Sequence, residues 1–180
     1  MAGRTVLVLG GGVGGLITAN ELRRRLDSEH RVVLVDKGGK HIFWPSLLWL
    51  QVGLRKPDKI VRDLVSLERK GIEVLKGEVS ALDPERKVVQ VNGSELSADY
   101  IVVSLGAQVV PEQVPGLAEA GHNLYSLEGA TAIRDACKDF KQGKLVVLVA
   151  RMPLRVLRIS SSVWSTSMAK SSSRSSLVRR

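Results

Sequence analysis

Three glycines at a fixed spacing and one acid downstream of them are the residues in this chain whose types and positions imply chemistry. Gly10, Gly12 and Gly15 fit the pattern G-x-G-x-x-G, with Val13 and Gly14 between the last two. The first glycine permits a tight turn. The second lets a pyrophosphate approach the backbone, and the third lets a helix pack closely on a strand. A helix that starts at such a turn offers unpaired N–H groups and a partial positive charge to phosphate oxygens. Asp36, 21 residues beyond Gly15 and followed by Lys37, stands where a carboxylate accepts hydrogen bonds from ribose hydroxyls. The chemistry implied is capture of a dinucleotide, with a merely structural tight turn as the plain alternative.

Those residues need a strand before the turn, a helix after it and a second strand ending at the acid. The sequence provides each. Val6–Leu9 is an apolar run, Leu16, Ile17, Leu22 and Leu26 recur at near-helical spacing, and Val32–Val35 is a second apolar run. The resulting expectation is an α/β fold, a Rossmann-like FAD/NAD(P)-binding domain built on a parallel sheet.

The whole chain is 180 residues long, 44% apolar and 25% charged, ordinary proportions for one globular domain with a tail. A lone cysteine, Cys137, excludes an internal disulfide and any multi-cysteine metal site. No apolar run has the length of a membrane span, and no secretory signal precedes Thr5, so a cytoplasmic location is expected. The net charge of +9 is unevenly spread: residues 1–150 hold 20 basic and 18 acidic residues, whereas 151–180 hold seven basic residues and no acid. A nucleic-acid reading would rest on that tail alone, and no nucleic-acid partner is expected.

Beyond Asp36, Lys37–Lys40 reads as loop, and His41 as a loop histidine, solvated or handling protons. Ile42 to Leu50 forms an apolar, aromatic cluster around Pro45, suited to core packing or to a wall beside a flat ring. Pro57–Leu67 reads as a short helix with Ile60, Leu64 and Leu67 on one face. Gly71–Ala98 reads as β structure, with a turn at Asp83-Pro84 and a hairpin at Asn92-Gly93, inserted beside the parallel sheet. Ile101–Val103 is expected as a buried parallel strand ending near Gly106, and Gln108–His122 as a loop. Leu127–Phe140 is expected as a helix that buries Ala130, Ile133, Cys137 and Phe140, and Leu145–Val149 as another buried strand. Ten serines and seven Arg or Lys fill residues 151–180, a composition that predicts disorder. The expected organisation is a dinucleotide-binding domain over 1–150 and a Ser/Arg-rich tail over 151–180.

With these residues placed, the body resembles the N-terminal part of FAD-dependent pyridine nucleotide–disulfide-type oxidoreductases. Within them it is most similar to sulfide:quinone oxidoreductases, with type II NADH dehydrogenases as relatives. The resemblance is carried by VLVLGGGVGGLITANEL, the acid of VVLVDK, Phe43-Trp44-Pro45-Ser46 followed by Trp49 and Val52-Gly53, GIEVLKGEVSALDPERKVV, and DYIVVSLGA. It implies FAD as cofactor, with Gly10, Gly12, Val13, Gly14 and Gly15 at the pyrophosphate and Asp36 and Lys37 at the adenosine ribose. It further implies Pro45 and Ser46 near the flavin, Val79 at the adenine side and Gly106 closing over the cofactor. The implied activity is electron transfer from sulfide or NADH through the flavin to quinone, with peripheral association of an intact form at the membrane. The redox cysteines of sulfide:quinone oxidoreductases have no counterpart: where many members carry one, this chain has Tyr125 and Ser126. The loss of pattern near residue 151 predicts a truncated domain or a frameshift product, checked by translating the other two reading frames. A non-catalytic or inactive dinucleotide-binding module is the alternative.

Overall fold

The computed structural model describes residues 3–147 and 155–156. The chain opens with β1 (Thr5–Leu9), α1 (Val13–Arg25) and β2 (Arg31–Asp36), as the apolar runs predict. A short strand β3 (Lys40–Ile42) leads to a single 3-10 turn (Trp44–Ser46) and α2 (Leu47–Gln51). Next come α3 (Pro57–Ile60), β4 (Val61–Asp63) and a 3-10 helix (Leu64–Lys70). The strands β5 (Glu73–Lys76), β6 (Val79–Asp83), β7 (Val88–Val91), β8 (Ser94–Ser97) and β9 (Tyr100–Val103) follow. Then come β10 (Ala107–Gln108), α4 (Leu117–Ala120), α5 (Leu127–Lys138) and β11 (Arg155–Val156).

Four parallel strands form the central sheet in the order β5-β2-β1-β9. The chain moves outward from β1 through β2 to β5, then returns to the other side of β1. Strand order therefore reverses at β1, and ligands of such sheets bind beyond the strand C-termini at that point. Leu9 pairs with Val35 on one side and Val103 on the other, so these C-terminal ends are level.

Side chains alternate across the sheet and bury two cores. Val8, Val32 and Leu34 face α1 and the 3-10 helix, packing with Ala19, Leu64, Leu67 and Ile72. Leu7, Leu9, Val33 and Val35 face the other way and meet Val89 and Val91 of the antiparallel sheet β6-β7-β8. The expected inserted hairpin thus supplies two strands of a three-stranded layer packed on one face of the parallel sheet. Its turn is Asn92-Gly93, both with positive φ. Asp83 accepts hydrogen bonds from the Glu85 and Arg86 N–H groups in the other expected turn. The run Val74–Leu82 is divided at the buried Gly77, between β5 in one sheet and β6 in the other.

Several expectations are corrected. Pro57–Leu67 is not one helix. Ile60, Leu64 and Leu67 are all buried, but β4 interrupts them because its backbone pairs antiparallel with β3, Lys40 opposite Asp63. His41 consequently lies in a strand, not a loop. In β9, Tyr100 and Val103 are exposed, since β9 is the last strand of the sheet on that side among the described residues. The Gln108–His122 loop contains the short α4. α5 ends at Lys138 and packs only by its first half, through Leu127 and Ala130 against Leu47, Leu50 and Ile60. Cys137 and Phe140, in or beyond its second half, are therefore exposed rather than buried. Leu145, Val146 and Val147 form no strand and are exposed, because no described strand takes them up; Leu148 and Val149 lie outside the described residues. Of residues 151–180 only Arg155 and Val156 are described, and they form β11, antiparallel to β10. The open edge of β10 supplies its backbone partners. The rest of that stretch lies outside the described residues.

Candidate functional site

The turn after β1 is held from three sides. Gly10 has φ of +103° and its N–H donates to the Val35 carbonyl of β2. A Cβ at Gly10 would run into the Ser104 carbonyl at the end of β9, so the glycine is required by both conformation and contact. A Cβ at Gly15 would overlap the Gly10 carbonyl; this is the close approach of helix to strand that the third glycine allows. Gly12 differs: it has an ordinary extended conformation, is exposed, and a Cβ there would meet nothing within 4 Å. Gly12, Val13 and Gly14 together present the open N-terminus of the 13-residue α1. Helix α1 has no side-chain cap at that end and no acid in its first turn, while Arg23, Arg24 and Arg25 sit in its last turn. Both features leave the positive end of the helix dipole available to an anion.

Asp36 is tied into this turn. Its Oδ2 accepts from the Gly11 N–H at 2.8 Å, and its Oδ1 accepts from the N–H groups of Gly38 at 2.9 Å and Gly39 at 2.8 Å. The Asp36 carbonyl also accepts from Gly77 N–H, fastening the end of β2 to the segment between β5 and β6. Lys37 is exposed and its Nζ lies 2.7 Å from a Glu78 carboxylate oxygen. The turn, Asp36, Lys37 and the Ser104–Gly106 segment thus meet at the C-terminal edge of the parallel sheet.

The remaining candidates are more dispersed. Ser46 is buried in the layer between β3 and α2, whereas Pro45 is exposed. The aromatic cluster is split: Leu47 and Leu50 enter the core with Ile60 and Ala130, while Phe43, Leu48 and Trp49 are exposed. Trp44 stacks on Tyr125 with centroids 4.9 Å apart and planes 17° from parallel. Val79 is half-buried at the start of β6, and Gly106 is exposed with φ of +74°. Cys137 belongs to a separate recess of about 480 Å³, lined also by Gln51, Arg55, Lys56 and Arg134 and by no residue of the glycine turn.

Four contributors were not placed at the turn by the sequence, although His41 and Leu64 were noted in other roles. Gly11 is buried between Asp36 and Leu64. Ser104 backs Gly10 and Gly14. Leu64 closes the turn from below. His41 Nδ1 lies 3.0 Å from the Gly11 carbonyl oxygen. Ser104 follows the strand of DYIVVSLGA directly and was legible by position. His41 was not, because it reaches the turn only through the pairing of β3 with β4.

The arrangement can bind and orient a phosphate-bearing dinucleotide. Among the described residues no cluster of His, Cys, Asp and Glu could hold a metal ion, and no helix is long and apolar enough to cross a membrane.

The family model described as pyridine nucleotide-disulphide oxidoreductase matches residues 4–149. The chain is 29% identical over 157 residues to the mitochondrial sulfide:quinone oxidoreductase of Mus musculus, covering 83% of this chain and 34% of that protein. It is 32% identical over 146 residues to a demethylphylloquinone reductase of Synechocystis, covering 76% and 36%. Among solved structures it is similar to the sulfide:quinone oxidoreductase of Aquifex aeolicus, with a TM-score of 0.71 and 27% identity over 76% of this chain and 32% of that one. The chain spans about a third of the length of these relatives.

Proposed function

This chain belongs to the pyridine nucleotide-disulphide oxidoreductase family of FAD-dependent flavoproteins, and from that premise we propose that it holds FAD at the glycine turn as part of an electron-transfer site resembling that of sulfide:quinone oxidoreductase. The observation that carries the reading is the exposed N-terminus of α1 at Gly12–Gly14, with open space beside Gly12, at the point where strand order reverses. The residues fit the group: the helix N-terminus has no side-chain cap, a Cβ at Gly12 would meet nothing within 4 Å, and Asp36 is bonded to the neighbouring Gly11. Gly10, Gly12, Val13, Gly14 and Gly15 would take the pyrophosphate, and Asp36 and Lys37 the ribose. Pro45 and Ser46 would border the flavin, Val79 the adenine side, and Gly106 would close over the cofactor. FAD, when bound, supplies the electron transfer; the chain's residues bind it and orient it.

The electron donor in this reading is sulfide or NADH and the acceptor a quinone, met by an intact form at a membrane surface. These follow from the names of the relatives, which include sulfide:quinone oxidoreductases and an alternative NAD(P)H-ubiquinone oxidoreductase of Arabidopsis thaliana. The test is flavin content. Purified chain incubated with FAD and passed through gel filtration is expected to retain flavin absorbance, and anaerobic addition of sulfide or NADH to bleach it. Colourless protein that cannot be reconstituted would sink the reading in favour of a non-catalytic module.

A further inference from the structure

His41 Nδ1 lies 3.0 Å from the carbonyl oxygen of Gly11. A carbonyl oxygen only accepts, so Nδ1 carries the hydrogen, and in the neutral ring Nε2 is bare. The same glycine donates its own N–H to Asp36 Oδ2. Gly11 is therefore held at both its donor and its acceptor, by residues from two different strands.

The consequence falls on the next residue. The Gly11 carbonyl and the Gly12 N–H belong to one peptide unit, and no peptide bond among the described residues is cis. In a trans peptide those two groups point in opposite directions. With the carbonyl turned to His41, the Gly12 N–H is turned away from it. That N–H donates to no group among the described residues, and Gly12 borders open space. Both residues flanking this peptide are glycines, so rotating it by half a turn meets little steric resistance. A rotated peptide would offer an oxygen, not an N–H, to an incoming phosphate.

We infer that His41 is a positioning residue that locks the Gly11–Gly12 peptide with the Gly12 N–H facing the pyrophosphate of the dinucleotide. This rests on the proposed placement of the FAD pyrophosphate at the glycine turn. The substitutions His41→Asn, His41→Gln and His41→Ala separate it from general packing. The Asn side chain places an amide N–H near the position of Nδ1, and Gln places it near Nε2. His41→Asn is expected to bind FAD within about threefold of the unsubstituted chain, while His41→Gln and His41→Ala bind about tenfold more weakly, the loss of one hydrogen bond. Nitrogen-15 NMR of the neutral imidazole in the FAD-free chain is expected to show the Nδ1–H tautomer. Equal FAD affinity for the Asn and Gln variants, or an Nε2–H tautomer in a chain that binds FAD, overturns the inference alone. The NMR arm stands even if every variant misfolds. An unsubstituted chain that takes up no FAD overturns the underlying site and the inference with it.

Discussion

Removing the Asp36 carboxylate should weaken the fold even when no nucleotide is present. A side chain whose sole work was to accept ribose hydroxyls would leave the empty protein unchanged on substitution. Asp36 instead accepts three backbone N–H groups, from Gly11, Gly38 and Gly39. Gly38 is exposed and water replaces its partner at little cost, and Gly39 is half-buried. Gly11 is buried, so its N–H has no such recourse, and an unsatisfied buried donor costs about 1–3 kcal/mol. Adding a smaller share for Gly39, Asp36→Ala should lose about 2–4 kcal/mol, since hydrogen bonds to charged groups run to about 1.5–3 kcal/mol each. With a urea slope of about 2 kcal/mol per molar, the unfolding midpoint of the FAD-free chain should fall by about 1–2 M. Asp36→Asn can keep an oxygen toward Gly38 and Gly39 but then turns an NH₂ toward the Gly11 N–H, so it should lose about 1–3 kcal/mol despite its matching shape. Urea unfolding followed by circular dichroism measures both. Midpoints of the two variants within error of the original, with FAD affinity alone reduced, would refute the idea that Asp36 builds the turn as well as serving it.

Further outcomes separate the glycines and the framework. Gly12→Ala should fold normally, within about 0.5 kcal/mol, because its Cβ meets open space. It should still lose FAD affinity about tenfold or more by obstructing the phosphate, which titration of bound flavin would read. Gly15→Ala should do the converse and destabilise the empty chain by about 1–3 kcal/mol, because its Cβ overlaps the Gly10 carbonyl; a thermal midpoint equal to that of Gly12→Ala would contradict this. Ser126 Oγ accepts the Gly129 N–H at the start of α5, so Ser126→Ala should lower stability by about 1 kcal/mol in chemical denaturation. Arg31 pairs with Glu73 through two hydrogen bonds, which hold the Glu73 carboxyl below its ordinary value against a smaller opposing push from burial. Its folded pKa is depressed, so the stabilisation is present above the unfolded carboxyl's value and is lost as pH falls through the folded one. Both side chains are more than half exposed, so the difference between the original chain and Glu73→Gln should stay below about 1 kcal/mol at neutral pH and vanish in acid.

What was legible in the residues tracks how local each interaction is. The β1–α1–β2 unit could be read because its apolar runs and glycine spacing lie within one stretch and need no distant partner. The three-stranded layer was half legible: Asn92-Gly93 encodes its own turn, but the assignment of Val74 to one sheet and Val79 to another depends on which strands lie opposite. Ile60, Leu64 and Leu67 show the limit most clearly. Their helical period correctly marks them as buried, yet the same period is met by two short helical segments with a strand between them, and that strand exists because β3 lies alongside. The candidate site follows the same rule. Its glycines and acid announced themselves by spacing, whereas the groups that fix the turn, the Ser104 carbonyl and the His41 ring, arrive from residues 94 and 31 positions away from Gly10. In both cases the turn comes from the local motif and the restraining atoms from elsewhere. A short stretch can specify where an N–H is needed, but holding a flexible glycine peptide in one orientation takes contacts that only the assembled sheet provides.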